Sequence, residues 1–268
     1  MLDEHIAPAN FGIFPKITFF QWEIPTYTVF MILAFICGFI CYKLTANKLN
    51  ALEKSHRTLI VIYALLGGVI GAKLPILIFN IDLWFQYPQN INLLLSGKTI
   101  VGGLIGGAIA VFFIKKRLHI TIKTGNDIAA PAALGMAIGR LGCFFGGCCY
   151  GIESPKFLGV DFGDGVYRFP TQIYEIIFDL TLFFIFLYFK KNKELKPGIL
   201  FRYLLNGYLS FRFPMEFIRE TDQAFFGISY YQILCVICLL FINRKWIITA
   251  VKKHFHTKLP PQNMNVKE

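Results

Sequence analysis

An arginine set among glycines and cysteines marks the middle of the chain: Gly139-Arg140-Leu141-Gly142-Cys143-Phe144-Phe145-Gly146-Gly147-Cys148-Cys149-Tyr150-Gly151. The segment closes a run of small apolar residues, Ala129 to Gly139, and opens a polar stretch. A charge without a partner beside hydrocarbon costs at least about 2.5–3.5 kcal/mol, so Arg140 needs a counter-charge or an anionic ligand. The glycines permit close backbone approach, and a planar guanidinium in such a bend suits a phosphate, such as a lipid headgroup. A helix C-cap followed by a turn is the plainer reading of the same residues.

Cys143, Cys148 and Cys149 form a rival constellation. Their spacing allows a disulfide, a thiol nucleophile or a soft-metal site. Packing of small residues in a tight turn is the leading reading, because a free cysteine behaves as a small hydrophobe. No histidine accompanies them, so a zinc site is not expected, and neither metal nor cofactor is assigned. Cys37 and Cys41, and Cys235 and Cys238, recur at helical spacings in apolar runs and read as core.

The elements that must position Arg140 are long and apolar. Of 268 residues, 55% are hydrophobic and only 16% charged, which places the chain among polytopic membrane proteins rather than soluble domains. The net charge of +11 does not indicate nucleic-acid binding, since the basic residues cluster between apolar blocks. Seven irregularly placed cysteines make no disulfide framework. No cleavable signal peptide is expected, because residues 1–20 lack a basic start, an apolar core and a small-residue cleavage site.

Seven helical spans are predicted in a single transmembrane domain: about Tyr27 to Leu44, Leu59 to Phe79, Thr99 to Ile114, Ile128 to Phe145, Thr171 to Phe189, Ile199 to Met215 and Ile228 to Ile242. The third is short and glycine-rich and is read as beginning in a buried, partly re-entrant segment. A basic tail starts at Arg244. Every second connection is rich in Lys and Arg, which predicts the N-terminus outside and the C-terminus inside. Arg140, Arg168, Arg212 and Arg219 then fall at the outer face, against that rule. A convergent site for a phosphate-bearing substrate accounts for them.

Several motifs carry a resemblance. Pro25-Thr26-Tyr27 opens the first span, and Gly71-Ala72-Lys73 lies in the second. Gly102-Gly103-Leu104-Ile105-Gly106, Gly139-Arg140-Leu141-Gly142 and Gly151 follow in order. Arg168-Phe169-Pro170-Thr171-Gln172-Ile173-Tyr174-Glu175 comes next, then Phe211-Arg212, Glu216-Phe217, Arg219 and Asp222. In this order the set resembles bacterial prolipoprotein diacylglyceryl transferase over nearly the whole chain. The resemblance implies a seven-helix inner-membrane enzyme. Its reaction moves the diacylglyceryl group of phosphatidylglycerol to a lipobox cysteine thiol of a prolipoprotein and releases glycerol phosphate. Lys73 stands where the family has an arginine, and four departures concern the chemistry: Val101 and Phe169 replace histidines, and Cys143 and Cys148 replace Asn and Glu.

The resemblance implies catalytic roles for Arg140 and Arg212, which would stabilise charge on the leaving phosphate. It implies substrate binding by Tyr27, Arg140, Gly151, Tyr174, Glu175, Arg212, Glu216 and Arg219. The simpler role for Arg212 is an ion pair with Glu216 at helical spacing. For the base, Glu175, Glu216 and Tyr174 are open candidates, and the arginines themselves lower a thiol pKa. The partners implied are an anionic phospholipid and a prolipoprotein acceptor, with no nucleic acid. A non-catalytic lipid- or partner-binding protein on the same scaffold is the alternative, as is a transferase with another acceptor.

Overall fold

The computed structural model describes residues 11–46, 53–79, 81, 85, 99–219, 223–225 and 227–258. Asp222, the last residue of the resemblance, lies outside them. Seven helices are present among the described residues: α1 (Thr26–Thr45), α2 (Lys54–Phe79), α3 (Ile100–Arg117), α4 (Gly125–Gly146), α5 (Thr171–Asn192), α6 (Ile199–Met215) and α7 (Tyr230–Lys258). Three two-stranded antiparallel hairpins join them: β1 (Lys16–Phe19) with β2 (Trp22–Pro25), β3 (Val160–Asp161) with β4 (Tyr167–Arg168), and β5 (Gln223–Phe225) with β6 (Ile228–Ser229).

Five helices are long and apolar enough to cross a membrane: α1, α2, α4, α5 and α7. Outer surfaces in the bundle are apolar too, with Phe35 and Phe39 on α1, Leu66 and Ile70 on α2, and Phe112 and Phe113 on α3 about half exposed or more. In water such a surface would be untenable; against lipid it is the expected one. The chain is a polytopic helical membrane protein.

The third span is a helix from Ile100, started by Thr99, whose Oγ1 accepts from the Gly102 amide at 3.1 Å. Its first residues are buried as expected, and the residues immediately before Thr99 lie outside those described. The seventh begins at Tyr230, because Ile228 and Ser229 pair as β6. It then runs past Arg244 to Lys258. Lys and Arg are good helix formers, so a basic stretch can end an apolar span without ending the helix.

The helix α4 is the centre. Within its apolar stretch 44% of residues are buried, against 11–28% in the other four candidates. It packs on α1, α5 and α6. Alanines make this possible: Ala129, Ala130 and Ala133 meet Phe186 of α5 and Leu200 and Leu204 of α6 in one core. The pair α2 and α3 packs through glycine, where a Cβ on Gly71 would lie 2.5 Å from the Gly102 oxygen. At one end of the bundle Lys190 Nζ meets Asp127 Oδ1 at 2.6 Å, tying the close of α5 to the start of α4. The other end holds the arginines.

Candidate active site

The local structure around Arg140 follows from its glycines. Gly147 adopts a left-handed conformation, φ 70°, which a Cβ disfavours. The Cys148 amide then donates to the Cys143 oxygen at 3.0 Å, and the Gly147 amide to the Phe144 oxygen at 3.4 Å. This turn caps α4 and sends the chain back across its own end. Arg140 sits two turns earlier, facing α5 rather than lipid.

Its partner is Glu175, a fully buried carboxylate one turn into α5. Arg140 Nη2 stands 2.6 Å from Glu175 Oε2. Oε1 of the same carboxylate receives Arg212 Nη1 at 3.0 Å and Arg219 Nη1 at 3.3 Å. Arg212 Nη2 also lies 2.7 Å from Glu216 Oε2, the pair expected from helical spacing. Tyr208 Oη donates to Glu175 Oε2 at 3.4 Å. All of these side chains are buried. In such a setting charge-assisted hydrogen bonds are strong, and none of the partners can be removed cheaply.

These ion-paired groups comprise three guanidiniums and two carboxylates, leaving one positive charge. Some of their hydrogen-bonding capacity is unused within the described protein. Arg140 Nε has no hydrogen-bond partner, and neither Glu216 oxygen takes a well-aligned hydrogen bond. The arrangement thus combines one excess positive charge with a free guanidinium donor at Arg140 Nε, which suits an anionic acceptor.

The other residues singled out in the sequence fall around this centre. Gly151 is pinned beside it: its amide donates to the Phe169 oxygen at 2.8 Å, and it bridges to Arg219. Tyr27, at the start of α1, packs on Cys143, Cys148 and Cys149. Tyr174 is half-buried and makes no hydrogen bond to the cluster among the described residues. Arg168 does not join the cluster's ion pairs. It grips Asp164 through both guanidinium nitrogens at 2.8 and 2.7 Å and lies over the Tyr150 ring. That contact holds the Asp164 carboxyl below its ordinary range.

Where the family has histidines, this chain has apolar contacts. Val101 is core, packed with Tyr208, Leu209 and Cys235. Phe169 lies in backbone pairing, its amide donating to the Ile152 oxygen at 3.1 Å. All seven cysteines are reduced. Cys143, Cys148 and Cys149 are buried together, and hydrogen bonding with Cys143 and Cys149, with burial added, pushes the Cys148 thiol pKa well up.

Sequence reasoning missed Asp179. It lies one turn beyond Glu175 on the same face of α5, fully buried, and neither of its oxygens has a hydrogen-bond partner among the described residues. The signal was present: an ionisable residue inside an apolar run, Ile176 to Phe184. Gln172, equally buried on that face, donates from Nε2 to the Cys148 oxygen at 2.7 Å and leaves its Oε1 unpartnered.

The chain is similar over most of its length to proteins of one family. The family model for prolipoprotein diacylglyceryl transferase matches residues 15–248. The phosphatidylglycerol–prolipoprotein diacylglyceryl transferase of Clostridium tetani is 32% identical over 185 residues, covering 66% of this chain and 74% of that protein. The same-named protein of Geobacter sulfurreducens is 31% identical over 209 residues, with 76% and 79% covered. That of Rickettsia bellii is 31% identical over 226 residues, with 81% and 84% covered.

Proposed function

The chain belongs to the prolipoprotein diacylglyceryl transferase family, and from that premise we propose that it is a transferase acting on phosphatidylglycerol and prolipoproteins. It moves the diacylglyceryl group of the lipid to the thiol of a lipobox cysteine, the first step of lipoprotein maturation. The observation that carries this reading is the buried cluster of Arg140, Arg212 and Arg219 on Glu175. Its guanidiniums outnumber the carboxylates paired with them, which suits the negative charge of a phosphodiester.

The chemistry follows from that charge. The acceptor thiol attacks the terminal glycerol carbon of the diacylglyceryl group, the carbon–oxygen bond to phosphate breaks, and glycerol phosphate departs. Negative charge builds on the leaving phosphate. Arg140 and Arg212 are fixed by Glu175 before substrate arrives, so they stabilise that charge without reorganising. The thiol proton needs an acceptor. Glu175 is committed to three arginines, Glu216 is paired with Arg212 at 2.7 Å, and Tyr174 lies off the cluster. Asp179 has both oxygens unpartnered and takes that role in this reading.

The placement in the membrane is part of the proposal. The helices α3 and α6, with 18 and 17 residues, fall in the roughly 17–25 needed to span. Seven spans with Lys- and Arg-rich loops inside put the N-terminus outside, the C-terminus inside and the arginine cluster toward the outer face of the inner membrane. There it meets a lipid headgroup and a translocated acceptor.

The test is direct. Purified protein is incubated with phosphatidylglycerol labelled in its acyl chains and a lipobox peptide. Transfer of label to the peptide cysteine, with release of glycerol phosphate, is expected. Lipid binding with no transfer to any thiol peptide would replace the enzyme with the lipid-binding alternative.

A further inference from the structure

The three central cysteines are organised beyond what filling space requires. Their sulfurs lie within 4.8 Å of one another, and all three residues are buried. Cys143 stands on the last turns of α4, and the left-handed turn at Gly147 returns Cys148 and Cys149 to it. Cys149 itself has φ 63°, a conformation that residues bearing a Cβ seldom adopt. Two buried side chains of α5 hold it there. Thr171 Oγ1 donates to the Cys149 oxygen at 2.5 Å, and Gln172 Nε2 to the Cys148 oxygen at 2.7 Å. The sulfur positions are therefore set by backbone that is strained and pinned, with no ligand needed to gather them.

Metal–thiolate bonds of about 2.3 Å place three sulfurs about 4 Å apart around one ion, and the three sulfurs here are all within 4.8 Å of one another. We propose that Cys143, Cys148 and Cys149 form a trigonal thiolate site for a thiophilic monovalent cation of the Cu(I) class. Soft sulfur ligands select such ions. No imidazole or carboxylate among the described residues joins the group, so tetrahedral zinc lacks a fourth protein donor. A monovalent d10 ion is complete with three. Binding replaces three thiol protons, which leave to solvent, with one cation, and no electron is transferred. The resulting site carries two negative charges. Arg140, with Nη1 3.9 Å from Cys143 Sγ, stands beside it as counter-charge.

The test uses full-length protein in detergent, reduced, desalted and kept anaerobic, titrated against the Cu(I)–bicinchoninate complex, whose visible absorbance reports copper withdrawn. Wild type is expected to withdraw about one equivalent and to develop a sulfur-to-copper charge-transfer band in the ultraviolet. The Cys143→Ser/Cys148→Ser/Cys149→Ser variant should withdraw about a tenth of that or less. The pairs Cys37→Ser/Cys41→Ser and Cys235→Ser/Cys238→Ser should keep the full equivalent. If the triple variant does not elute as a monodisperse protein, Cys148→Ser alone serves, with an expected loss of affinity of about a hundredfold. No copper withdrawn by wild type would overturn the site. So would unchanged uptake in the cysteine variants, or loss of uptake in either helical pair instead.

Discussion

Glu175 Oε2 on α5 lies 2.6 Å from Arg140 Nη2 on α4, and that contact joins the helix ending in the glycine turn to the one beginning just after the loop. The same carboxylate takes Arg212 and Arg219 through its other oxygen. One fully buried anion thus arranges cations from α4, α6 and the segment after α6.

Removing that anion should be felt first in stability. Glu175→Gln keeps the shape but leaves three buried guanidiniums facing one another. Breaking a buried ion pair by removing one partner typically costs about 3–5 kcal/mol. Thermal unfolding in detergent should show a marked drop, larger than for Arg219→Gln, whose contact at 3.3 Å is the longest of the three. Equal stability of Glu175→Gln and wild type would mean that the carboxylate is not the hub.

The close approach of α2 and α3 gives a second expectation. A Cβ on Gly106 would fall 2.6 Å from the Gly71 Cα, inside van der Waals contact. Gly106→Val should therefore part the helices, at about 1–3 kcal/mol or more. Gly165→Ala, in open space on an exposed turn, is the control for a glycine whose strain is local. Matching unfolding temperatures for Gly106→Val and wild type would contradict the packing.

Much of this arrangement was legible in the sequence, and the illegible parts have physical reasons. The bounds of α6, Ile199 to Met215, coincide with the expected span, and on the N-terminal side the reason is Gly198, whose left-handed φ of 81° separates the helix from the Lys-rich stretch before it. The Arg212–Glu216 pair is written in i,i+4 spacing. Glu175 as hub is not, since its arginines come from 35, 37 and 44 residues away and only packing of α4, α5 and α6 brings them in. Arg168 looked like a fourth member because its loop shares the same end of the bundle. Asp164, four residues back across the β3–β4 turn, takes it instead. The hairpins were missed because two to four residues of strand make too short an alternation to stand out from loop.

Asp179 separates catalysis from folding. An Asn at this site keeps the volume and cannot accept a proton as a carboxylate does. Asp179→Asn should fold at least as well as wild type, since a buried carboxyl without partners gains nothing for stability. Its turnover number should fall about 10²–10⁴-fold, the range for a lost general base, with little change in KM for lipid. Wild-type turnover would send the thiol proton elsewhere.

Topology can be checked without activity. In a background lacking native cysteines, a single cysteine placed at Lys156 should react with a membrane-impermeant maleimide from outside the cell. One at Lys193, at the opposite end of α5, should react only after permeabilisation. The reverse pattern would turn the arginine cluster toward the inner face and remove a translocated acceptor from its reach.

The sharpest prediction concerns Arg140 and Arg212 as a unit. Both reach Glu175 through short contacts, on opposite oxygens of one carboxylate, so both point toward the same volume. Alanine at either position should cost about 2–4 kcal/mol of transition-state stabilisation, by comparison with the loss of one oxyanion donor. Arg140→Lys should remain strongly impaired, because an ammonium keeps the charge but cannot bond a phosphate and Glu175 with a planar fork. If the two guanidiniums share one phosphate, kcat/KM of the double alanine variant should fall by less than the product of the single effects. Strict multiplicativity would give them separate duties. Turnover near wild type in either single alanine variant would leave the cluster a structural knot, with the chemistry somewhere else in the bundle.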